Sequence, residues 1–295
     1  MTFPESFEFK KYNAIPVSNF VQNLYYLEKI PLLLASILKN KINRSKRMQK
    51  QVMRDYNETV WKKIFEEKNW KGAKNLNEFL FFKKDKNNRK FLMGSRLCVT
   101  SSLDYYKYRQ GILCNIIQKF TTIDDEIVEL GCGYGLNLFS FINGGIKNRL
   151  YGVDISENSI NAAKQIANFF NCNVKFEKKD LTKDLASINL ENKTAFSYYS
   201  FEQLKYQTFN LIQNLINLKP LQFLHIEPVI ELYRNTARDL ASSLYIKSQD
   251  YQDNLLSTLR YFEKKKAIKI TDIQRLGYAS NPLHEASLIR WIPEF

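Results

Sequence analysis

The stretch that most constrains this 295-residue chain is Glu126-Ile-Val-Glu-Leu-Gly-Cys-Gly-Tyr-Gly135. A short apolar run ends in an acid and then in glycines at alternate positions, Gly131, Gly133 and Gly135. Glycine has no Cβ, reaches positive φ and lets bare backbone approach a ligand closely. A helix beginning after such a turn presents unpaired N–H groups. The spacing Glu-x-Gly-x-Gly-x-Gly is not the Gly-x-Gly-x-x-Gly of dinucleotide-binding folds. Taken alone, it also suits a tight strand-to-helix turn that binds nothing.

The residues that follow narrow the choice. Leu150-Tyr-Gly-Val-Asp154 reads as a second apolar strand closed by an acid, 19 residues past Gly135. The next segment, about 156–170, has an apolar stripe at Ile160, Ala163, Ala167 and Phe170, as an amphipathic helix requires. Val174-Lys-Phe-Glu-Lys-Lys-Asp180 is a third strand that also runs into an acid. Each carboxylate then stands just past a strand's C-terminal end, where open α/β sheets bind ligands. Further strands are expected over Thr194–Gln203, over Leu221–Pro228, over 267–273 and over 287–291, with helices between them and a helix over 101–120. Strands alternating with helices give a mainly parallel sheet covered on both faces.

On Glu129-Leu-Gly-Cys-Gly-Tyr-Gly135, Asp154 and Asp180-Leu181, the chain resembles the class I S-adenosylmethionine-dependent methyltransferases. The resemblance covers roughly residues 105–295. It implies an α/β fold, a Rossmann-like seven-stranded sheet with helices on both faces and the last strand antiparallel between its neighbours. It also implies S-adenosyl-L-methionine as cofactor. The glycine turn would pass the methionine part, Asp154 would accept from the ribose hydroxyls, and Asp180 would meet the adenine amino group with Leu181 against the ring. Arg109, in the segment before the first strand, would meet the methionine carboxylate or else lie on the surface. The expected cofactor set is therefore Glu129, Gly131, Cys132, Gly133, Tyr134, Gly135, Asp154, Ile155, Asp180, Leu181, Ser200 and Arg109.

Charge divides the chain. Residues 1–100 hold 21 Lys and Arg against 9 Asp and Glu, and the remainder 23 against 21. The expected organisation is a basic, helical N-terminal region over 1–100, acting as cap or substrate region, and the methyltransferase domain over 101–295. Candidate N-terminal helices run near 18–39 and 44–68. Lys39, Lys41, Arg44, Lys46, Arg47, Lys50 and Arg54 form one basic cluster, and Lys83, Lys84, Lys86, Arg89 and Lys90 a second. Each is either a solvated face or an anion-binding surface for nucleic acid, a phosphorylated substrate or an acidic lipid surface. Trp61, Trp70, Phe79, Phe81 and Phe82, between the clusters, are expected to pack the helices.

The longest apolar run, Ile30–Leu38, is interrupted by Pro31 and is too short to span a bilayer. No basic-then-apolar leader is visible at the N-terminus. Cys98, Cys114, Cys132 and Cys172 have no paired or zinc-like spacing and read as reduced thiols of a cytoplasmic protein. No metal site is expected.

Methyl transfer requires the acceptor to be aligned with the sulfonium methyl, and proximity supplies much of the rate. A base is needed only where the acceptor must lose a proton. The fourth and fifth strand ends offer Ser200, Glu202 and Gln203, then His225 and Glu227. Glu202, His225 and Glu227 are the candidate catalytic residues. Alternation sets His225 and Glu227 on one face of their strand, toward either the site or the packed core. His284 precedes the last strand and is a candidate for the rim of the site.

No Asp/Asn-Pro-Pro-aromatic motif, Pro-Cys pair or double-glutamate loop marks nucleic-acid amino, cytosine C5 or protein arginine methylation. The expectation is O-methylation of a small polar, anionic acceptor, such as a sugar or a nucleotide-linked sugar. The Ser-Phe-Glu-Gln and His-Ile-Glu-Pro-Val segments are similar to bacterial methyltransferases of surface-polysaccharide and specialised-metabolite biosynthesis. Two alternatives stand beside it: an RNA methyltransferase whose basic N-terminal region holds phosphates, and a cofactor-binding partner protein without activity.

Overall fold

The computed structural model describes residues 9–42, 62–67, 69–81 and 87–294. A small antiparallel sheet contains Ile15–Pro16 (β1), Asn88–Met93 (β2) and Arg96–Ser101 (β3). A large sheet contains Glu126–Leu130 (β4), Arg149–Asp154 (β5), Val174–Lys178 (β6), Thr194–Tyr198 (β7), Gln222–Glu227 (β8), Ile268–Arg275 (β9) and Ser287–Pro293 (β10). Its order is β6-β5-β4-β7-β8-β10-β9. Strands β4 to β8 pair in parallel, and β10 runs antiparallel between β8 and β9, as the resemblance implied.

Helices flank the sheet, and several open on side-chain caps. Ser101, Ser156 and Thr236 each accept the backbone N–H three residues on, at 3.0–3.1 Å, and start the helices Ser102–Phe120, Glu157–Phe169 and Ala237–Ser248. One core joins Ile112, Ile117, Leu138, Phe139, Ile166 and Phe176 on one side of the sheet. A second joins Val128, Leu130, Leu211, Leu215, Phe223 and Leu259. Chain order reverses at β4: the path runs outward to β5 and β6, then crosses to β7 on the other side. That switch point opens a crevice at the carboxyl ends of the strands.

The N-terminal helix expected near 18–39 is present as Asn19–Ile42 and packs on the helix Ala237–Ser248. Its Tyr26 is fully buried, and Asn40 Nδ2 donates to the Ser248 carbonyl at 2.8 Å. Of the helix expected over 44–68, the described part is Lys62–Glu67. The basic residues at 44–54 and 83–86, with Trp61 and Phe82, lie outside the described residues. Trp70 is buried in the first core, and Phe79 meets Phe139 edge-on at 6.3 Å.

No element is expected from the sequence over 88–100, and with Ser101 this stretch forms the β2–β3 hairpin. Its two-residue turn, Gly94-Ser95, has positive φ at both positions (54° and 62°), the geometry that matches strand twist. The turn seats on Gly277, where a Cβ would lie 2.5 Å from Ser95 Oγ. Ser95 N–H donates to the Gly277 carbonyl, and Arg238 donates to the Ser95 carbonyl.

A buried ion network secures this corner. Arg275 donates to both oxygens of Asp239 at 2.8 Å and also to Glu285. Asp239 and Glu285 are each 1% exposed. Removing one partner of such a network leaves uncompensated buried charge. Arg275→Ala is therefore expected to lower unfolding stability by about 3–5 kcal/mol. Arg275→Lys is expected to recover only part of it, because the bidentate geometry is lost. Urea titration of the three proteins checks both.

Candidate active site

The turn after β4 is shaped by backbone. Gly131 and Cys132 N–H both donate to the Val153 carbonyl, at 2.8 and 2.9 Å, tying the turn to β5. Gly131 has φ +80°, and a Cβ there would lie 2.4 Å from Ser200 Cβ. Ser200 in turn donates its hydroxyl to the Leu130 carbonyl at 2.8 Å. The β4 turn and the end of β7 thus approach to a distance only glycine permits. Gly135 (φ +84°) faces away: a Cβ there would strike Phe176 at 2.5 Å.

Above this turn lies a cavity of about 320 Å³. Eleven of the twelve expected cofactor residues line it: Glu129, Gly131, Cys132, Gly133, Tyr134, Asp154, Ile155, Asp180, Leu181, Ser200 and Arg109. Gly135 does not. Its part is to let the chain turn into the helix Leu136–Asn143.

Asp154 ends β5. Its oxygens accept from Gly133 N–H at 2.9 Å, Ser156 N–H at 2.8 Å and the Ser159 hydroxyl at 3.1 Å. Burial raises its pKa, while these donors hold it down. Asp180 accepts from both the N–H and the hydroxyl of Thr182, at 2.9 and 2.7 Å, which fixes its carboxyl at the end of β6.

Glu129 is 1% exposed. Its Oε1 accepts from Asn137 Nδ2 at 2.5 Å, and its Oε2 is buried without a hydrogen-bond partner. Burial pushes its pKa up to about 8, against the pull of Asn137 and Arg109. Arg109, 6% exposed, donates to Asn137 Oδ1 and, at 2.7 Å, to the Tyr198 hydroxyl. It is therefore a buried cation on the cavity wall, not a surface residue.

The three candidate catalytic residues do not line the cavity. His225 is fully buried in β8. The indole N–H of Trp291, on β10, donates to His225 Nε2 at 3.0 Å. Because indole only donates, Nε2 carries no proton, and Nδ1 bears it toward Ser197 Oγ at 3.3 Å. Burial drives the His225 pKa down to about 3. The reading of His225 as a base at the site is corrected: it faces the second core, beside Phe223.

Glu227 lies on the same face, also fully buried. It accepts backbone N–H groups of Ser200 and Phe201 at 3.1 Å and of Glu202 at 3.4 Å. Burial and the neighbouring Glu202 push its pKa up to about 8. Its work is to hold the bend after β7, so the reading of Glu227 as a base is also corrected. Glu202 stands one residue behind the wall. Its Oε1 accepts from Gln203 Nε2 at 2.8 Å, and its Oε2 lies 2.9 Å from His284 Nε2, without the alignment of a straight hydrogen bond.

Several lining residues were not anticipated: Leu136, Asn137, Ser156, Thr182, Tyr198, Tyr199 and Leu204, with Gln203 noted only beside Glu202. Tyr199 has φ +48°, an uncommon conformation for a bulky residue, and donates its hydroxyl to the His284 carbonyl at 2.7 Å. The adjacent tyrosines at a strand end were the available signal.

Residues 123–244 match a family model described as a methyltransferase domain. The chain carries a class I S-adenosylmethionine-dependent methyltransferase domain. In fold, the enzyme is similar to magnesium protoporphyrin IX methyltransferase from Synechocystis PCC 6803, solved with bound S-adenosylhomocysteine. Identity is 14%, coverage 65% of this chain and 87% of that one, and the TM-score 0.50. It is also similar to geranyl diphosphate C-methyltransferase from Streptomyces coelicolor A3(2), at 10% identity, 64% and 80% coverage and TM-score 0.47. No curated protein sequence matches the chain.

Two outcomes are expected. Gly131→Ala abolishes the rise in melting temperature that S-adenosylmethionine gives the native enzyme; an undiminished rise contradicts the close approach at Ser200. His225→Ala costs about 2–4 kcal/mol of stability, from the cavity and the unpaired indole N–H. Calorimetric titration of the folded variant is expected to show unchanged cofactor affinity.

Proposed function

We propose that the cavity holds S-adenosyl-L-methionine and that the enzyme methylates a small polar acceptor at oxygen. The observation that carries this reading is the orphaned Glu129 Oε2, beside the Arg109 guanidinium, above a turn that a Cβ would close. An acid and a cation side by side suit an α-amino acid group: Glu129 takes the ammonium and Arg109 the carboxylate. Asp154 takes the ribose hydroxyls, and Asp180, Leu181 and Ile155 take the adenine. When bound, the cofactor supplies a methyl group activated on a sulfonium.

The acceptor then enters beside the β7 end, against Tyr199, Ser200, Gln203 and Leu204. Tyr199 is a donor toward His284, and burial keeps its phenol protonated. This wall orients a polar group and excludes water, so alignment is its main contribution. Glu202 acts through Gln203, whose amide it holds. Preference for an anionic acceptor, such as a nucleotide-linked sugar, falls to basic residues outside the cavity wall.

Incubating the enzyme and labelled S-adenosylmethionine with small-molecule and RNA fractions of source cells tests the reading. Label is expected in a low-mass polar product; label only in RNA overturns it. A second expectation concerns protons. Free Glu129 is protonated below about pH 8, and a bound ammonium lowers its pKa, so binding releases a proton. Cofactor affinity should therefore rise with pH toward about 8 and fall again above it, where the cofactor's own α-ammonium loses its proton. Titration calorimetry in buffers of different ionisation enthalpy is expected to detect the released proton at about pH 7. Glu129→Gln is expected to abolish that release and weaken binding by about 1.5–3 kcal/mol.

A further inference from the structure

A buried polar pair stands directly behind the β7 end of the cavity wall. Glu202 and His284 are 4% and 9% exposed. Glu202 Oε2 lies 2.9 Å from His284 Nε2, and neither atom has a hydrogen-bond partner. Burying two such groups is costly, and two apolar side chains of similar size would fill a core at least as well. Packing alone therefore does not account for the pair.

His284 lies in the loop between β9 and β10, and that loop is pinned. The His284 N–H donates to the Asn281 carbonyl at 2.8 Å, and the Leu283 N–H donates to Asn281 Oδ1 at 3.1 Å. Leu283 packs with Tyr26 and Ala241, which ties the loop to the helices Asn19–Ile42 and Ala237–Ser248. Three tyrosine rings surround the imidazole. Tyr251 stacks on it at 5.3 Å and 19°, and Tyr199 and Tyr245 meet it edge-on at 5.1 and 5.2 Å.

Two links run from this fixed residue to the cavity wall. The first uses backbone: Tyr199 donates its hydroxyl to the His284 carbonyl at 2.7 Å, which helps hold Tyr199 at its positive φ. Any residue at 284 would supply that carbonyl. The second link needs the imidazole. As a carboxylate, Glu202 only accepts, so the ring nitrogen beside it supplies the proton. Glu202 Oε1 in turn accepts from Gln203 Nε2 at 2.8 Å, which decides how the Gln203 amide is turned. Tyr199 and Gln203 both line the cavity, on either side of Ser200. The Glu202–His284 contact is close but not aligned, as such contacts often are until a substrate tightens them.

We propose that His284 is a positioning residue for methyl transfer, acting through Glu202 to set Gln203 against the acceptor. This rests on the reading that the acceptor enters beside the β7 end. Neither His284 nor Glu202 lines the cavity, so their part is to orient and not to take a proton from the acceptor.

The test compares the native enzyme with His284→Gln and with the double variant Glu202→Met, His284→Phe. Each receives labelled S-adenosylmethionine and the small-molecule fraction of source cells. The double variant exchanges the pair for apolar groups of similar size. It is expected to keep the native melting temperature, and a cofactor affinity within about twofold by calorimetry, while label transfer falls about tenfold or more. His284→Gln keeps a nitrogen that donates to Glu202 and is expected to retain about a third or more of native transfer. Native transfer by the double variant overturns the proposal. So does equal loss in both variants, or a loss that follows a lowered melting temperature or cofactor affinity, because either marks a role in architecture alone. If the native enzyme labels only RNA, the small-acceptor reading fails, and the same comparison on that RNA still decides the part of His284.

Discussion

The site is organised around one costly choice, a carboxyl buried at the end of the central strand. Glu129 has a single protein donor, Asn137, and an oxygen with none. Burying such a group is unfavourable unless its polar atoms are met. Around it the chain has assembled Asn137 from the following helix, Arg109 from the helix before β4 and Tyr198 from β7. Three elements distant in sequence are held in register by one polar chain. The glycine turn follows from the same need, since a Cβ at Gly131 would push the β7 end away.

The second buried carboxyl, Glu227, shows how similar chemistry serves architecture. It gathers three consecutive backbone N–H groups at the bend after β7, a place where no regular ladder can satisfy them. The bend carries Tyr199 and Ser200 to the cavity. Glu227 shapes the wall from behind, and His225 and Trp291 stabilise the sheet beneath it.

What was legible in the sequence follows from this division. The glycine turn, Asp154 and Asp180 are local patterns whose geometry is set by a few adjacent residues; alternating strands and helices give a mainly parallel sheet, and its seven strands are what the resemblance implied. Alternation correctly put His225 and Glu227 on one face, but could not say which way that face looked. In β8 every residue is buried, because helices cover both sides and neighbours cover both edges, so a polar pair there has no solvent-facing option. Tyr198, Tyr199 and Asn137 are held at the cavity by contacts across 89, 85 and 28 residues, which no window along the chain reports. The β2–β3 hairpin was hard to read: Asn88–Met93 passes from three polar residues to three apolar ones and Arg96–Ser101 is nearly all buried, so neither run shows the alternation that marks a strand.

The seat of that hairpin on Gly277 has a consequence for how the chain acquires its fold. Ser95 and Leu92 bond to Gly277 and Ala279, and Arg238 reaches the same turn from the helix Ala237–Ser248. Trp70, Phe91 and Met93 share a core with Phe139 and Tyr278. Contacts between such distant parts of a sequence form late, because the intervening chain must first be closed into a loop. During synthesis the first hundred residues leave the ribosome early, with their aromatic side chains waiting for partners that are made last. The β2–β3 hairpin therefore gains its seat only once residues 277–279, between β9 and β10, have been made.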